Sequence, residues 1–86
     1  MKIARTARFK RAWKQLNGED KELAQKALRN LATDMQYPAL RVKKMKGVEH
    51  IWEARVSSSL RMTFQIQGDT VILRNIGRHD ETLEQP

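Results

Sequence analysis

Cysteine is absent from this chain of 86 residues, which excludes disulfides, thiolate metal sites and a thiol nucleophile. No apolar run approaches the roughly 18 residues of a membrane-spanning helix, and no secretory signal is visible. Acidic residues are also scarce, because 10 Asp and Glu face 17 Lys and Arg, for a net charge of +7. A positive charge of this size favours a polyanionic partner, with nucleic acid first and an anionic membrane second. An acidic protein partner is equally compatible. We expect one small cytoplasmic domain over residues 1–86.

The stretch 52–80 has the alternation that is typical of strands with one buried face. Apolar residues occupy every second position of two runs: Trp52, Ala54 and Val56, then Leu60, Met62, Phe64 and Ile66. Short polar turns, Ser57–Ser59 and Gly68–Asp69, separate the runs. These loop lengths place Trp52 opposite Phe64 and Phe64 opposite Leu73, so that every cross-strand pair on this face is apolar. The pattern predicts a three-stranded antiparallel meander that ends in a charged tip.

The opposite face of the meander is the candidate functional face. The same register places Arg55 opposite Arg61, and it places Glu53 and Arg74 opposite Thr63 from either side. Like charges directly opposite each other on a sheet are unfavourable unless something anionic lies between them. The pattern therefore predicts an anion-binding surface.

Two helices are predicted before the meander, after a short edge strand in residues 1–5. The first helix follows a Thr6 cap, carries apolar residues at helical spacing and ends at Asn17–Gly18. The second begins near Glu19 and ends by about Gln36 because of Pro38. Their apolar stripes are Phe9, Trp13 and Leu16, then Leu23, Ala27, Leu28 and Leu31. A further strand is predicted over Leu40–Lys46. The fold class is thus α+β, with an N-terminal helical hairpin packed on a small, mostly antiparallel sheet.

The order of these elements carries a family resemblance. Together with the segments LRVKKMKG, IWEARVSSSLRMTF and GDTVILRNIGRHDE, it resembles the RelE/ParE superfamily of bacterial toxins, and it looks closest to the RelE-like branch. These are the small basic toxins of type II toxin–antitoxin systems. The resemblance covers nearly the whole chain. RelE-type members cut messenger RNA in the ribosomal A site, whereas ParE-type members share the fold and poison DNA gyrase, so the fold alone does not choose between them.

The resemblance also implies site residues. Arg61, in LRMTF, matches the strand arginine of RelE-type members, and Arg55 matches a basic residue of the preceding strand. His79, in GRHD, matches the basic residue that follows the glycine of the last strand. Two positions depart from the family: Glu53 replaces a second basic residue, and the C-terminal stacking tyrosine is absent, since the only tyrosine is Tyr37.

Metal-independent RNA cleavage needs a base for the 2′-hydroxyl, an acid for the leaving 5′ oxygen and cations for the phosphorane. Arg55, Arg61 and Arg74 can supply the positive charge. The His79 imidazole is a candidate acid and base, and Glu53 is an alternative base. We therefore predict Arg61, His79, Arg55 and Glu53 as catalytic residues, with no metal and no cofactor.

RNA-binding residues are predicted on the strand face and in a second basic cluster. They are Arg74, Arg78, Arg41, Lys43, Lys44 and Lys46. The second basic cluster consists of Arg41, Lys43, Lys44 and Lys46, and its alternative role is to protect a sheet edge from pairing, which lysines commonly do. Platforms for base stacking are not evident, because the chain's large aromatic residues Trp13, Trp52 and Phe64 are predicted to be internal.

The expected partners are an acidic antitoxin, the ribosome and messenger RNA, with no membrane. The first function hypothesis is a ribosome-dependent ribonuclease toxin that inhibits translation. The alternatives are a non-enzymatic toxin of the ParE type and an inactive basic module that binds nucleic acid.

Overall fold

The computed structural model describes residues 1–86 and contains a five-stranded mixed sheet and three α-helices. In chain order the elements are β1 (Lys2–Arg5), α1 (Ala7–Lys14), α2 (Gly18–Thr33), a 3-10 turn (Pro38–Leu40), β2 (Lys43–Lys44), β3 (Trp52–Arg55), β4 (Leu60–Gln67), β5 (Thr70–Arg78) and α3 (His79–Glu84). The strand order is β1-β5-β4-β3-β2, with β1 parallel to β5 and all other neighbours antiparallel. The predicted α+β class is confirmed. No helix combines the length and apolarity needed to cross a bilayer.

Most of the predicted register is present in the sheet. Trp52 pairs with Phe64, and Phe64 pairs with Leu73. On the other face, Arg55 pairs with Arg61. The register follows from the alternation of buried and exposed side chains, because a slip of one residue would turn every apolar side chain of a strand outward.

Arg74 is the exception to the predicted register. A β-bulge between Thr63 and Phe64 places Asn75, and not Arg74, opposite Thr63. The extra residue shifts the alternation of β5 by one position, which is the usual effect of a bulge. Ile76 consequently faces the core and is buried.

The helices are capped as the sequence indicates. The Thr6 hydroxyl accepts a hydrogen bond from the Phe9 N–H at 3.1 Å, and the Asn17 side chain accepts one from the Asp20 N–H at 2.8 Å. The second helix ends at Thr33, earlier than predicted, because Asp34 is extended and its carboxylate accepts a hydrogen bond from the Gln36 N–H at 2.9 Å. Such a turn competes with helix continuation.

The core lies between the helices and the inner face of the sheet. Its 12 buried residues are Phe9, Ala24, Ala27, Leu28, Leu31, Leu40, Ala54, Met62, Phe64, Val71, Leu73 and Ile76. Several residues that were expected inside are more exposed. Leu23 is 38% exposed and Ile66 is 41% exposed, and the partly buried ones are Trp13, Leu16, Trp52 and Val56. Ala24, which also belongs to the predicted stripe of α2, is buried.

The predicted strand over Leu40–Lys46 is reduced to the two residues of β2. Pro38–Leu40 forms the 3-10 turn instead, and Arg41 has the left-handed conformation, with φ 44° and ψ 46°. A residue in that conformation cannot continue a strand. The chain therefore enters the sheet later than the alternation suggests.

The predicted charged tip is the short helix α3. Its Thr82 is buried, and a Cβ added to Gly77 would lie 3.0 Å from the Thr82 Oγ1 atom. Gly77 pairs with Arg61, and residues that pair directly project to the same face of a sheet. α3 therefore packs on the outer face, beside Arg61.

Candidate functional site

A polar pocket of about 240 Å³ opens on the outer face of the sheet. We refer to it as the basic pocket. Its six lining residues, none of them hydrophobic, are Arg41, Lys43, Glu53, Arg55, Arg61 and His79. The fold thus brings together all four residues predicted to be catalytic and two of those predicted to bind RNA. One carboxylate faces four side chains that are cationic at neutral pH, so the pocket is suited to an anion.

Arg55 and Arg61 face each other across β3 and β4. The Arg61 Nη1 atom donates hydrogen bonds to the carbonyl oxygens of Ser57 and Leu60, at 2.6 and 2.9 Å. Burial, and after it the charge of Arg55, lowers the pKa of the Arg61 guanidinium from its ordinary value, while Glu53 raises it. Arg61 remains cationic at any physiological pH. A bound anion would therefore relieve a repulsion that the folded chain maintains.

Glu53 is a nearly buried carboxylate at the centre of this face. Its side chain is 11% exposed, and its Oε1 atom lies 3.6 Å from the Nζ atom of Lys43, which is 71% exposed. Buried charges require partners of opposite sign. The surrounding Lys43 and Arg61 supply that charge, so Glu53 has a counter-ion role besides any role as a base.

His79 reaches the basic pocket from the first position of α3. Its backbone N–H donates to the Ser59 carbonyl oxygen at 2.9 Å, which ties the start of α3 to the loop between β3 and β4. Its Nδ1 atom lies 2.9 Å from the Asp80 Oδ1 atom. A proton on Nδ1 would leave Nε2 free to accept a proton, as in other carboxylate–histidine pairs. His79 is exposed, so it can contact a ligand directly.

The other residues predicted to bind RNA lie outside the basic pocket. Arg74 donates to the Gln65 Oε1 atom at 2.6 Å and to the Pro86 carbonyl oxygen at 3.4 Å. Arg78 lines a separate groove beside α1. Lys44 and Lys46 are exposed and do not line the pocket. They can contact a long ligand only beyond the pocket.

Tyr37 is a residue that the sequence interpretation missed. It is 41% exposed and lines a cavity that shares Arg41 with the basic pocket. The sequence did carry a signal for it, because the following Pro38 forbids helix continuation and favours a turn that holds a side chain at the surface. No group of three His, Asp or Glu side chains lies close enough to hold a metal ion.

The chain matches no protein-family model and no curated protein sequence, but several solved structures are similar to it. A metal-bound toxin from Helicobacter pylori is 29% identical, with a TM-score of 0.78 over 94% of this chain and 97% of that one. RelE in the RelB–RelE complex of Methanococcus jannaschii is 18% identical, with a TM-score of 0.76 over 96% and 99%. The intact RelBE complex of E. coli gives 18% identity and a TM-score of 0.71 over 92% and 96%.

The first of these structures is of a toxin and the other two are of toxin–antitoxin complexes, and all three share the fold described above. The chain has the fold of the RelE/ParE superfamily of toxins. The resemblance predicted from the sequence is thereby confirmed.

Proposed function

We propose that this protein is the toxin of a toxin–antitoxin system and that it cuts messenger RNA on the ribosome without a metal ion. The observation that carries the proposal is the opposition of Arg55 and Arg61 in a pocket that also contains His79 and Glu53. A scissile phosphate placed there would meet two guanidinium groups and two groups able to transfer a proton. RelE-type members of the superfamily carry out this reaction, which supports the assignment by analogy.

The four residues predicted to be catalytic each have a role in the proposed reaction. Arg61 and Arg55 bind the phosphate oxygens, and their positive charge stabilises the phosphorane as negative charge accumulates. Glu53, or the His79 Nε2 atom, takes the proton of the attacking 2′-hydroxyl. Protonated His79 gives a proton to the leaving 5′ oxygen. The products are a 2′,3′-cyclic phosphate and a 5′-hydroxyl end. The proposed reaction uses no metal ion and no cofactor.

The Arg61→Ala variant tests the proposal. Loss of one positioned donor to a developing oxyanion costs about a hundred- to a thousandfold in rate, so growth arrest should disappear. Primer extension on messages from a cell-free translation extract measures the cuts. The matched control is Arg29→Ala, which removes an exposed arginine of α2 that lies outside the pocket. Cuts that persist undiminished in Arg61→Ala would exclude this site.

The same experiment addresses the alternative functions. Glu53 stands where RelE-type members have a basic residue, and this departure favours a non-enzymatic toxin of the ParE type. Growth arrest without any cut message would support that alternative and direct the search to DNA gyrase. A chain that neither cuts nor arrests growth would correspond to the inactive nucleic-acid-binding module.

We also propose an acidic antitoxin as the partner of this chain. The net charge of +7 and the two-residue edge strand β2, with its exposed Lys43 and Lys44, favour an acidic segment that pairs along this edge. The similar structures include complexes of RelE with RelB. Co-expression with the neighbouring gene product should give a complex that survives purification. A chain that is well tolerated at high expression without any partner would contradict the proposal.

A further inference from the structure

A second cavity of about 240 Å³ adjoins the basic pocket at the β2 edge of the sheet. We refer to it as the aromatic cavity. Four of its seven lining residues are hydrophobic, and Tyr37 and Trp52 are its aromatic members. Its volume is below the roughly 300–1,000 Å³ of pockets that hold drug-sized ligands. It is therefore suited to a single flat ring system and not to a whole nucleotide.

The backbone of Tyr37 is held by two hydrogen bonds, and the residue is 41% exposed. Its N–H donates to the Asp34 carbonyl oxygen at 3.0 Å, and its own carbonyl oxygen accepts from the Leu40 N–H at 3.0 Å. The following Pro38 has a restricted φ. An aromatic side chain on such a turn offers a large contact area and loses little conformational entropy on binding.

Trp52 supplies the second aromatic surface of the cavity. It packs against the core beside Met35 and Val42 and is only half-buried, so part of its indole remains accessible. Sequence alternation predicted that Trp52 would be internal, and on that basis no stacking platform was expected. The partial exposure of Trp52 removes that objection to base stacking.

Arg41 joins the two cavities, because it lines both of them. Its backbone is left-handed, with φ 44°, a conformation that is costly for a residue other than glycine and that persists only where the surrounding structure enforces it. Such strain is concentrated at functional sites. Arg41 also contributes positive charge at Arg61. Arg41 is therefore the one lining residue that the aromatic cavity shares with the basic pocket.

We propose that the aromatic cavity binds a nucleobase of single-stranded RNA while the phosphate of a neighbouring nucleotide lies in the basic pocket. The substrate class rests on the proposed function. Charge favours RNA as the occupant, because Arg41 lines the aromatic cavity and also lines the basic pocket, which has three further cationic side chains. Aromatic surfaces beside basic side chains bind single strands without strict sequence preference.

The test uses two ligands of the same length and charge: a short oligoadenylate and an abasic oligomer. Fluorescence anisotropy measures the affinity of the full chain for each. Tyr37→Ala should weaken oligoadenylate binding by about tenfold, within the usual range for one stacked base, and should leave the abasic oligomer unchanged. Tyr37→Phe should retain the affinity. Leu23→Ala, which removes another exposed apolar side chain from α2, is the control and should change neither.

A second measurement observes Trp52 directly. Trp13→Phe leaves Trp52 as the only tryptophan, since the chain has 2, and oligoadenylate should quench its fluorescence more than the abasic oligomer does. Equal effects of Tyr37→Ala on both ligands, equal quenching by both, or no binding of oligoadenylate would overturn the inference. The assay contains no cleavage step. Base-dependent binding by a chain that cuts no message would therefore refute the ribonuclease proposal alone.

Discussion

Removal of Arg55 should stabilise the free protein. Arg55 faces Arg61 directly across β3 and β4, and its charge lowers the pKa of Arg61. Arg61 is anchored by two hydrogen bonds to backbone carbonyl oxygens, so its removal would combine several effects. Arg55→Gln removes the repulsion and keeps most of the aliphatic stem.

The size of the effect follows from the geometry of the pair. Like charges directly opposite on a sheet destabilise by roughly 0.2–1 kcal/mol. For a domain of this length, about 1 kcal/mol changes Tm by roughly 4–8 °C. A repulsion near the middle of that range, about 0.5 kcal/mol, predicts that Arg55→Gln raises Tm by about 2–4 °C. The gain should shrink at high salt, because the Debye length falls to about 3 Å at 1 M.

Thermal unfolding at low and at high salt measures the change. Arg29→Gln is the matched control, since it lowers the net charge by the same amount from an exposed position on α2. Its Tm should rise less than that of Arg55→Gln. A lower Tm for Arg55→Gln, or equal increases in Tm for both variants, would show that Arg55 and Arg61 do not repel each other in the free protein.

Two further predictions concern the outer face. Thr63→Val should raise the free energy of unfolding by about 1 kcal/mol, because the buried Thr63 Oγ1 atom has no hydrogen-bond partner and its desolvation is uncompensated. A denaturant titration measures the change. A lower midpoint for the variant would show that the hydroxyl has a hydrogen-bond partner in solution. Gly77→Ala should accelerate hydrogen exchange in α3 by about tenfold, equivalent to about 1.4 kcal/mol of local stability, because the new Cβ would lie 3.0 Å from the Thr82 Oγ1 atom. The double variant Gly77→Ala/Thr82→Ala should restore slow hydrogen exchange in α3. Unchanged exchange in Gly77→Ala alone would show that α3 does not pack against Gly77.

Local pattern and turn length were sufficient to predict the meander and the Arg55–Arg61 pair. The bulge was missed, although the spacing of the buried residues in β5 contains it. Leu73 and Ile76 are both buried and three positions apart, which strict alternation does not allow. Attention to that spacing would have placed Arg74 outside the basic pocket.

Other features depend on tertiary structure and have no clear local signal. The helix α3 buries only Thr82 and has no apolar stripe, so periodicity could not reveal it. The left-handed backbone of Arg41 could not be predicted from its residue type, because it is neither glycine nor asparagine. The exposure of Tyr37 and Trp52 depends on where the helices stop covering the sheet. The sequence therefore predicted which residues line the basic pocket, but it did not predict the neighbouring aromatic cavity.

The pairing of β1 with β5 has a consequence for the order in which the chain folds. The Thr6 hydroxyl donates to the Leu73 carbonyl oxygen across a sequence separation of 67 residues, and Arg5 pairs with Leu73. During synthesis at roughly 5–20 residues per second, β1 waits on the order of seconds for its partner strand. Contacts of such long range also slow folding after the strand has emerged. His79 comes later still, so a nascent chain has no complete basic pocket while the ribosome that makes it is still translating.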